Sequence, residues 1–253
     1  GVQTCALPIL QVKGNLLHDI GKPGDVIWAG KLDFYSSQNS DYQEVNYLTA
    51  DISTGPIWAS GQYVFRAPFG YKDIQYGNES LSDTFYFAPS AIYNMNERLS
   101  WQANLKLAAE DYSQPIYSGN DNTLYSLAIG PNFYLDDRKH TVSAFVTFES
   151  RDADASTFSY SSYALDLSYF TRINDATDLF LNYRYLHRAY DAPAPLFTSD
   201  RKDDRNSLSA VVVYRFRDKY FVSAGYTYIN NSSNAALYDF DKNMLTFEVG
   251  MAL

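Results

Sequence analysis

The chain has almost no cysteine, little histidine and no long apolar run, and each shortage removes a class of protein. Its single cysteine, Cys5, excludes an internal disulfide and has no second thiol for a metal site. Three histidines, His18, His140 and His187, stand in separate segments without ligand-like spacing. Although 46% of the residues are hydrophobic, no stretch approaches the apolar length of a membrane helix, which needs ~20 residues. Basic residues are the minority: 20 Lys and Arg against 29 Asp and Glu give a formal net charge of −9. A nucleic-acid binder normally carries a basic patch or stripe, so nucleic acid is not expected as a partner.

What the chain does have is 23 tyrosines and 16 phenylalanines, dispersed among polar residues with a period of two. Between Arg98 and Glu110, Leu99, Trp101, Ala103, Leu105, Leu107 and Ala109 alternate with Ser100, Gln102, Asn104, Lys106 and Glu110. Successive side chains of a strand point to opposite faces, so one face can meet lipid while the other meets water. Similar stretches lie near 26–36, 43–53, 57–66, 83–93, 98–111, 122–135, 140–151, 159–172, 177–189, 206–217, 219–230 and 243–253. Soluble strands average about 5–6 residues, whereas tilted membrane strands need ~9–11, and most of these stretches fit the second class. The predicted fold is all-β: a transmembrane antiparallel up-and-down β-barrel of about 12 strands.

The connections support that reading. Turn-rich links at Ser53–Pro56, Asn94–Glu97, Asp136–Lys139, Asn174–Ala176 and Asp218 alternate with longer segments near 67–82, 112–121, 152–158, 190–205 and 231–242. Barrels of the Gram-negative outer membrane have short periplasmic turns and longer outer loops. The expected location is therefore the cell outer membrane, with both visible ends periplasmic. Aliphatic residues hold the middle of each apolar face and aromatics its ends. Trp101, Phe133, Tyr169, Tyr214, Phe216 and Tyr220 lie toward the short turns, and Tyr125, Tyr163, Tyr183, Tyr185, Tyr226 and Tyr228 toward the long loops. Amphipathic rings favour the headgroup level, so these form two girdles facing outer-membrane lipid.

Three segments divide the chain. Residues 1–9, Gly-Val-Gln-Thr-Cys-Ala-Leu-Pro-Ile, look like the translation of a sequencing-adaptor oligonucleotide and are set aside as an artefact. Residues 10–25, with Gly14, Gly21, Pro23 and Gly24 and no sustained period, are expected to be a linker or a truncated N-terminal segment. The barrel then occupies 26–253, where Phe247, Val249, Met251 and Leu253 alternate to the end as a closing strand should.

The polar faces carry Lys106, Glu110, Glu149, Arg151, Asp166, Arg172, Arg184, Arg188, Arg215, Arg217 and Glu248, together with Lys31, Asp33, Gln62, Arg66 and Asp178. These residues either line an aqueous lumen and set its solute preference, or interlock as ion pairs that fill a narrow one. Arginines outnumber nearby acids around 160–217, so a pore would favour anions along that wall. His140 and Ser143 are the nearest serine–histidine neighbours, but residues three apart fall on opposite faces of a strand. No catalytic residue is expected, and the chain is read as not an enzyme. Asp239, Asp241 and Asn243 have calcium-loop spacing, but Met244 stands where the sharp-turn glycine belongs and Gly250 where the closing glutamate belongs. No metal or other cofactor is expected.

One resemblance goes further. Arg201-Lys202-Asp203-Asp204 before a strand, Gly225-Tyr226-Thr227-Tyr228, Asn231-Ser232-Ser233-Asn234, and Tyr238-Asp239-Phe240-Asp241-Lys242-Asn243 leading into the last strand resemble the closing strands of a group of outer-membrane barrels. These are the barrels attached to periplasmic tetratricopeptide-repeat proteins, of the surface lipoprotein assembly modifier and exopolysaccharide-export type. The resemblance implies a translocation or export pore for a surface polymer or lipoprotein, of about 14 strands in a full-length protein, with a repeat domain upstream in the same chain and a cargo that the sequence does not identify. The alternatives are a general diffusion porin and an outer-membrane hydrolase of the phospholipase kind.

Overall fold

Alternation in the sequence becomes strand in the computed structural model, which describes residues 9–20, 26–38, 43–217 and 219–251. Fifteen antiparallel strands form one up-and-down sheet. They are β1 (Ile9–Ile20), β2 (Val26–Ser37), β3 (Tyr47–Ser60), β4 (Tyr63–Arg66), β5 (Phe69–Tyr76), β6 (Glu79–Phe87), β7 (Ser90–Asn96), β8 (Leu99–Tyr112), β9 (Asn122–Leu135), β10 (His140–Ala153), β11 (Tyr160–Asn174), β12 (Thr177–Pro193), β13 (Asp200–Phe216), β14 (Tyr220–Ser233) and β15 (Phe240–Met251). The hydrogen-bonded path runs through thirteen of them, with β5 and β6 beside it. Among the described residues no helix is long and apolar enough to cross a membrane.

The extra strands have local causes. β1 occupies the segment expected to be a linker; Gly14 and His18 interrupt an apolar face otherwise made by Val12, Leu16 and Ile20, which hid its period. The Ser53–Pro56 link is not a turn but the interior of β3. Proline has no N–H to give, yet the Pro56 carbonyl accepts from Ala67 N at 3.0 Å, so the ladder continues past it. Gly55 beside it is required by close approach, since a Cβ there would lie 2.4 Å from the Ala67 carbonyl oxygen. The long segment near 67–82 is instead a hairpin of β5 and β6, turned by Gly77 and Asn78 at φ 61° and 64°. Two successive positive φ values are what a primed two-residue turn demands, and this short turn breaks the expected alternation of connections. The loops near 190–205 and 231–242 shrink because β12 runs to Pro193, β13 begins at Asp200 and β15 begins at Phe240. The adaptor-like residues before Ile9, the Asp218 turn and Leu253 lie outside the described residues.

Burial is the reverse of that in a soluble sandwich. Among the described residues the buried apolar side chains are few, Ala108, Tyr160, Ala164, Leu186, Ala194 and Ala235, whereas Leu127, Ile129, Leu165, Leu167, Val212 and Phe247 are exposed. The greasy face is the exposed one and the hydrogen-bonded face is the covered one.

Two compact units make up the sheet. One holds the described residues up to Ala91 with Asn104–Tyr125 and Arg151–Phe158; the other holds Ile92–Ala103, Ser126–Ser150 and the described residues from Ser159. In the first, β1 to β3 pair in continuous register and β6 pairs β8 from Ser82 opposite Tyr112 to Phe87 opposite Leu107. In the second, β11 to β15 pair without interruption except for irregularities at Arg172–Asn174 and Ala189–Pro193.

Candidate functional site

Register decides which charges meet. In the second unit Asp166 stands opposite Arg184, and Arg172 opposite Asp178, so cross-strand partners share the polar face of β11 and β12. Arg184 Nη1 lies 3.2 Å from Asp166 Oδ1. Asp178 is 2% exposed, with Arg172 Nε 3.5 Å from Oδ1 and Arg215 Nη2 donating to Oδ2. Higher up, Glu149 accepts from the Tyr160 hydroxyl at 2.8 Å and pairs with Arg188 at 3.6 Å, while the Arg188 guanidinium lies 3.9 Å from the centre of the Tyr160 ring. Flat cations on aromatic faces and on carboxylates give these groups single orientations.

The next rung was not legible as a site. Arg201 grips Asp203 with two hydrogen bonds, at 3.0 and 2.5 Å, and stacks between Tyr190 and Tyr238, at 4.4 and 3.3 Å from their ring centres. Arg205 donates to Asn231 at 3.0 Å, and Asn231 donates to the Tyr238 carbonyl at 2.6 Å. This network pins the 3-10 turn Ala236–Tyr238. The sequence places 201–205 in a long loop, whereas β13 begins at Asp200; the two-residue spacing of Arg201, Asp203 and Arg205 puts them on one strand face.

In the first unit Glu110 collects Ser82 Oγ at 3.2 Å, Asn122 Nδ2 at 3.0 Å and Arg151 at 3.8 Å. Lys106 sits 5.6 Å above the Tyr86 ring, whose hydroxyl donates to Asp51 at 2.5 Å. Lys31 and Asp33 stand opposite Ser53 and Asp51. Glu248 accepts from Ser223 at 3.2 Å. Arg217 and Gln62 occupy turns rather than strand faces, and Arg66 ends β4.

Both sets of aromatics sit on the exposed face. Trp101, Tyr125, Phe133, Tyr163, Tyr214, Phe216, Tyr220 and Tyr226 are exposed, and Tyr169, Tyr183, Tyr185 and Tyr228 half-buried. Toward the long loops their hydroxyls point at polar side chains one rung on: Tyr183 to Asn206 at 2.8 Å, Tyr226 to Asn243 at 2.6 Å and Tyr228 to Asp241 at 2.9 Å. Asp241 and Asn243 thus belong to β15 and serve as acceptors for those tyrosines. On the same face His187 Nδ1 lies 2.9 Å from Asp204 Oδ1, which also accepts from Tyr185 at 2.6 Å. His140 and Ser143 are not brought together: His140 pairs with the Tyr169 hydroxyl at 2.9 Å, and Ser143 donates to Asn132 at 2.7 Å.

Comparison with known proteins agrees with this architecture. A family described as "Protein of unknown function (DUF2860)" matches residues 119–252. No curated protein matches the chain. Among solved structures it is similar to in-vitro folded OmpT, an outer membrane protein of Vibrio cholerae, with a TM-score of 0.57, 10% identity and coverage of 96% of this chain and 94% of that one. A loop L8 deletion mutant of the same protein gives a TM-score of 0.58 at 10% identity, covering 97% and 98%. The fold is that of the transmembrane β-barrels of the Gram-negative outer membrane, and that location stands with it. The likeness reaches the barrel and not the tetratricopeptide-associated type. The reading of the chain as not an enzyme is withdrawn: the barrels it matches carry the name OmpT, and at 10% identity that likeness shows the fold and gives the reading no support.

Proposed function

We propose, from the premise that this chain belongs to the DUF2860 family of proteins of unknown function, that it is a translocation pore of the outer membrane whose polar face lines the passage. The observation that carries this reading is the covered face itself. Its charges are held in fixed pairs, Asp166 with Arg184 and Asp178 with Arg172 and Arg215 across neighbouring strands, and Glu149 of β10 with Arg188 of β12 across the intervening β11. A face held this way keeps its charges oriented where solute passes. The short turns 97–98, 136–139 and 175–176 face the periplasm, and Met251 ends on that side. β1 adds one crossing, so Ile9 lies on the opposite side, a departure from the expectation that both ends are periplasmic. Outer-membrane lipid covers the exposed face. The resemblance of the last fifty residues adds a surface polymer or lipoprotein as cargo and an upstream periplasmic repeat domain.

Conductance in planar bilayers tests this. A translocation pore should open briefly, with openings lengthened by Arg201→Ala, which releases Tyr238 from its cation. A steadily open wild type would favour the diffusion-porin reading, and a bilayer that conducts with neither protein refutes a pore.

The His187–Asp204 contact favours a second reading. A histidine whose Nδ1 is held by a carboxylate has Nε2 available as a general base, here on the lipid-facing side near a girdle. An outer-membrane hydrolase would release fatty acid from phospholipid vesicles and lose that activity in His187→Ala; no release from wild type sinks it.

A further inference from the structure

We infer that the polar wall formed by β11, β12 and β13 is an anion path, with an oxyanion station where Arg172 and Arg215 flank Asp178. This rests on the pore reading and names its substrate class. The wall carries six arginines against three aspartates. The chain as a whole has a net charge of −9, so composition does not account for that surplus.

Depth matters more than number. The Asp178 side chain is 3% exposed, whereas those of Arg172 and Arg215 are 54% and 44% exposed. The Asp166 side chain is 20% exposed against 42% for Arg184. In each set the carboxylate lies beneath and the guanidinium faces the open side, so a solute meets positive charge although the pairs are nearly neutral in sum. Two cations over one buried acid leave one net positive charge and several free N–H groups, which suit a carboxylate, phosphate or sulfate oxygen. Arg184 lies six residues along β12 from Asp178, roughly 20 Å at ~3.3 Å per residue, so the wall offers a second foothold farther along.

Reversal potential under a potassium chloride gradient reads the path, and calorimetric titration of the detergent-folded barrel with inorganic phosphate reads the station. Wild type should prefer chloride over potassium by about threefold or more, as a cation facing a narrow aqueous path gives, and should bind phosphate. The variant Arg172→Gln/Asp178→Asn/Arg215→Gln keeps polar contacts, leaves no buried charge, and should lose the phosphate signal and most of the preference. A conducting channel without chloride preference overturns the inference and leaves the pore standing. A silent bilayer with phosphate binding that the variant abolishes keeps the station and removes the pore. Phosphate binding unchanged in the variant, or absent from wild type, overturns the station.

Discussion

Asp178 gives a sharp test of how charge is balanced on the covered face. Its side chain is 3% exposed and its Oδ1 has no hydrogen bond among the described residues, so the Arg172 charge at 3.5 Å compensates that oxygen. Removing the acid and removing the bases are then unequal perturbations. Asp178→Ala leaves two guanidiniums that are 54% and 44% exposed and that water can solvate. The loss is that of two half-exposed pairs, about 1–2 kcal/mol in all. Arg172→Gln/Arg215→Gln instead strands a carboxylate out of water, at about 3–5 kcal/mol. Adding Asp178→Asn to that double variant removes the stranded charge and should recover more than half of the deficit. Guanidinium unfolding of the protein refolded into phospholipid vesicles, followed by fluorescence of Trp28, Trp58 and Trp101, measures all three. An Asp178→Ala loss equal to or larger than that of the double arginine variant, or no recovery in the triple variant, refutes the asymmetry.

Other perturbations separate the two faces and the special backbone positions. Leu167→Arg, on the exposed apolar face, should cost about 2–4 kcal/mol of folding free energy in vesicles. Its neighbour Ser168→Arg, on the face where Ser168 meets Asn182 at 2.9 Å, should cost at most about 1 kcal/mol by the same guanidinium titration, since water and neighbouring acids can accept the cation. Gly130→Ala should yield no folded barrel on heat-modifiability gels, because a Cβ there would lie 1.9 Å from the Ala144 carbonyl oxygen. Gly61→Ala, at φ 57° with open space around it, should cost only about 1–2 kcal/mol. Asp136, Asp137 and Arg138 all hold positive φ, so Asp137→Gly should raise the unfolding midpoint by relieving about 1 kcal/mol of strain.

Apart from the start of β13, strands β8 to β14 are legible to within a few residues because their two faces differ in chemistry at every step. Where one face loses that contrast, the period disappears. Gly14 and His18 erase it in β1, and Gly55-Pro56 imitates a turn inside β3 while the Pro56 carbonyl quietly keeps the ladder. The hairpin at Gly77-Asn78 went unseen because β5 and β6 each carry polar residues on both faces, Lys72 and Asp73 among them. Membership of the polar face could be read from alternation, yet pairing could not: Asp166 and Arg184 become neighbours only through a register set by the whole β11–β12 ladder. The same limit hid His187 and Asp204, seventeen residues apart and opposite one another in β12 and β13.

Side-chain length explains why the cations end uppermost, and it makes the last prediction. An aspartate carboxylate sits close to the backbone, while a guanidinium on a neighbouring strand reaches well beyond it, so a cross-strand Asp–Arg pair sorts its charges by depth. Among the described residues the three cross-strand Asp–Arg contacts obey this, 3% against 54% and 44% at Asp178 and 20% against 42% at Asp166, and the pair within β13 has the same order, 5% for Asp203 against 15% for Arg201. Pairs made with glutamate do not. Glu149 and Arg188 are both 23% exposed, and Glu110 and Arg151 are 23% and 19% exposed. One added methylene lifts the carboxylate level with its partner and cancels the field that a passing ion meets. Asp166→Glu, which keeps net charge and pairing, should therefore reduce chloride preference in bilayers by up to about twofold while leaving the unfolding midpoint nearly unchanged. Unaltered selectivity in a correctly folded Asp166→Glu barrel would mean that charge number, and not charge depth, governs this wall.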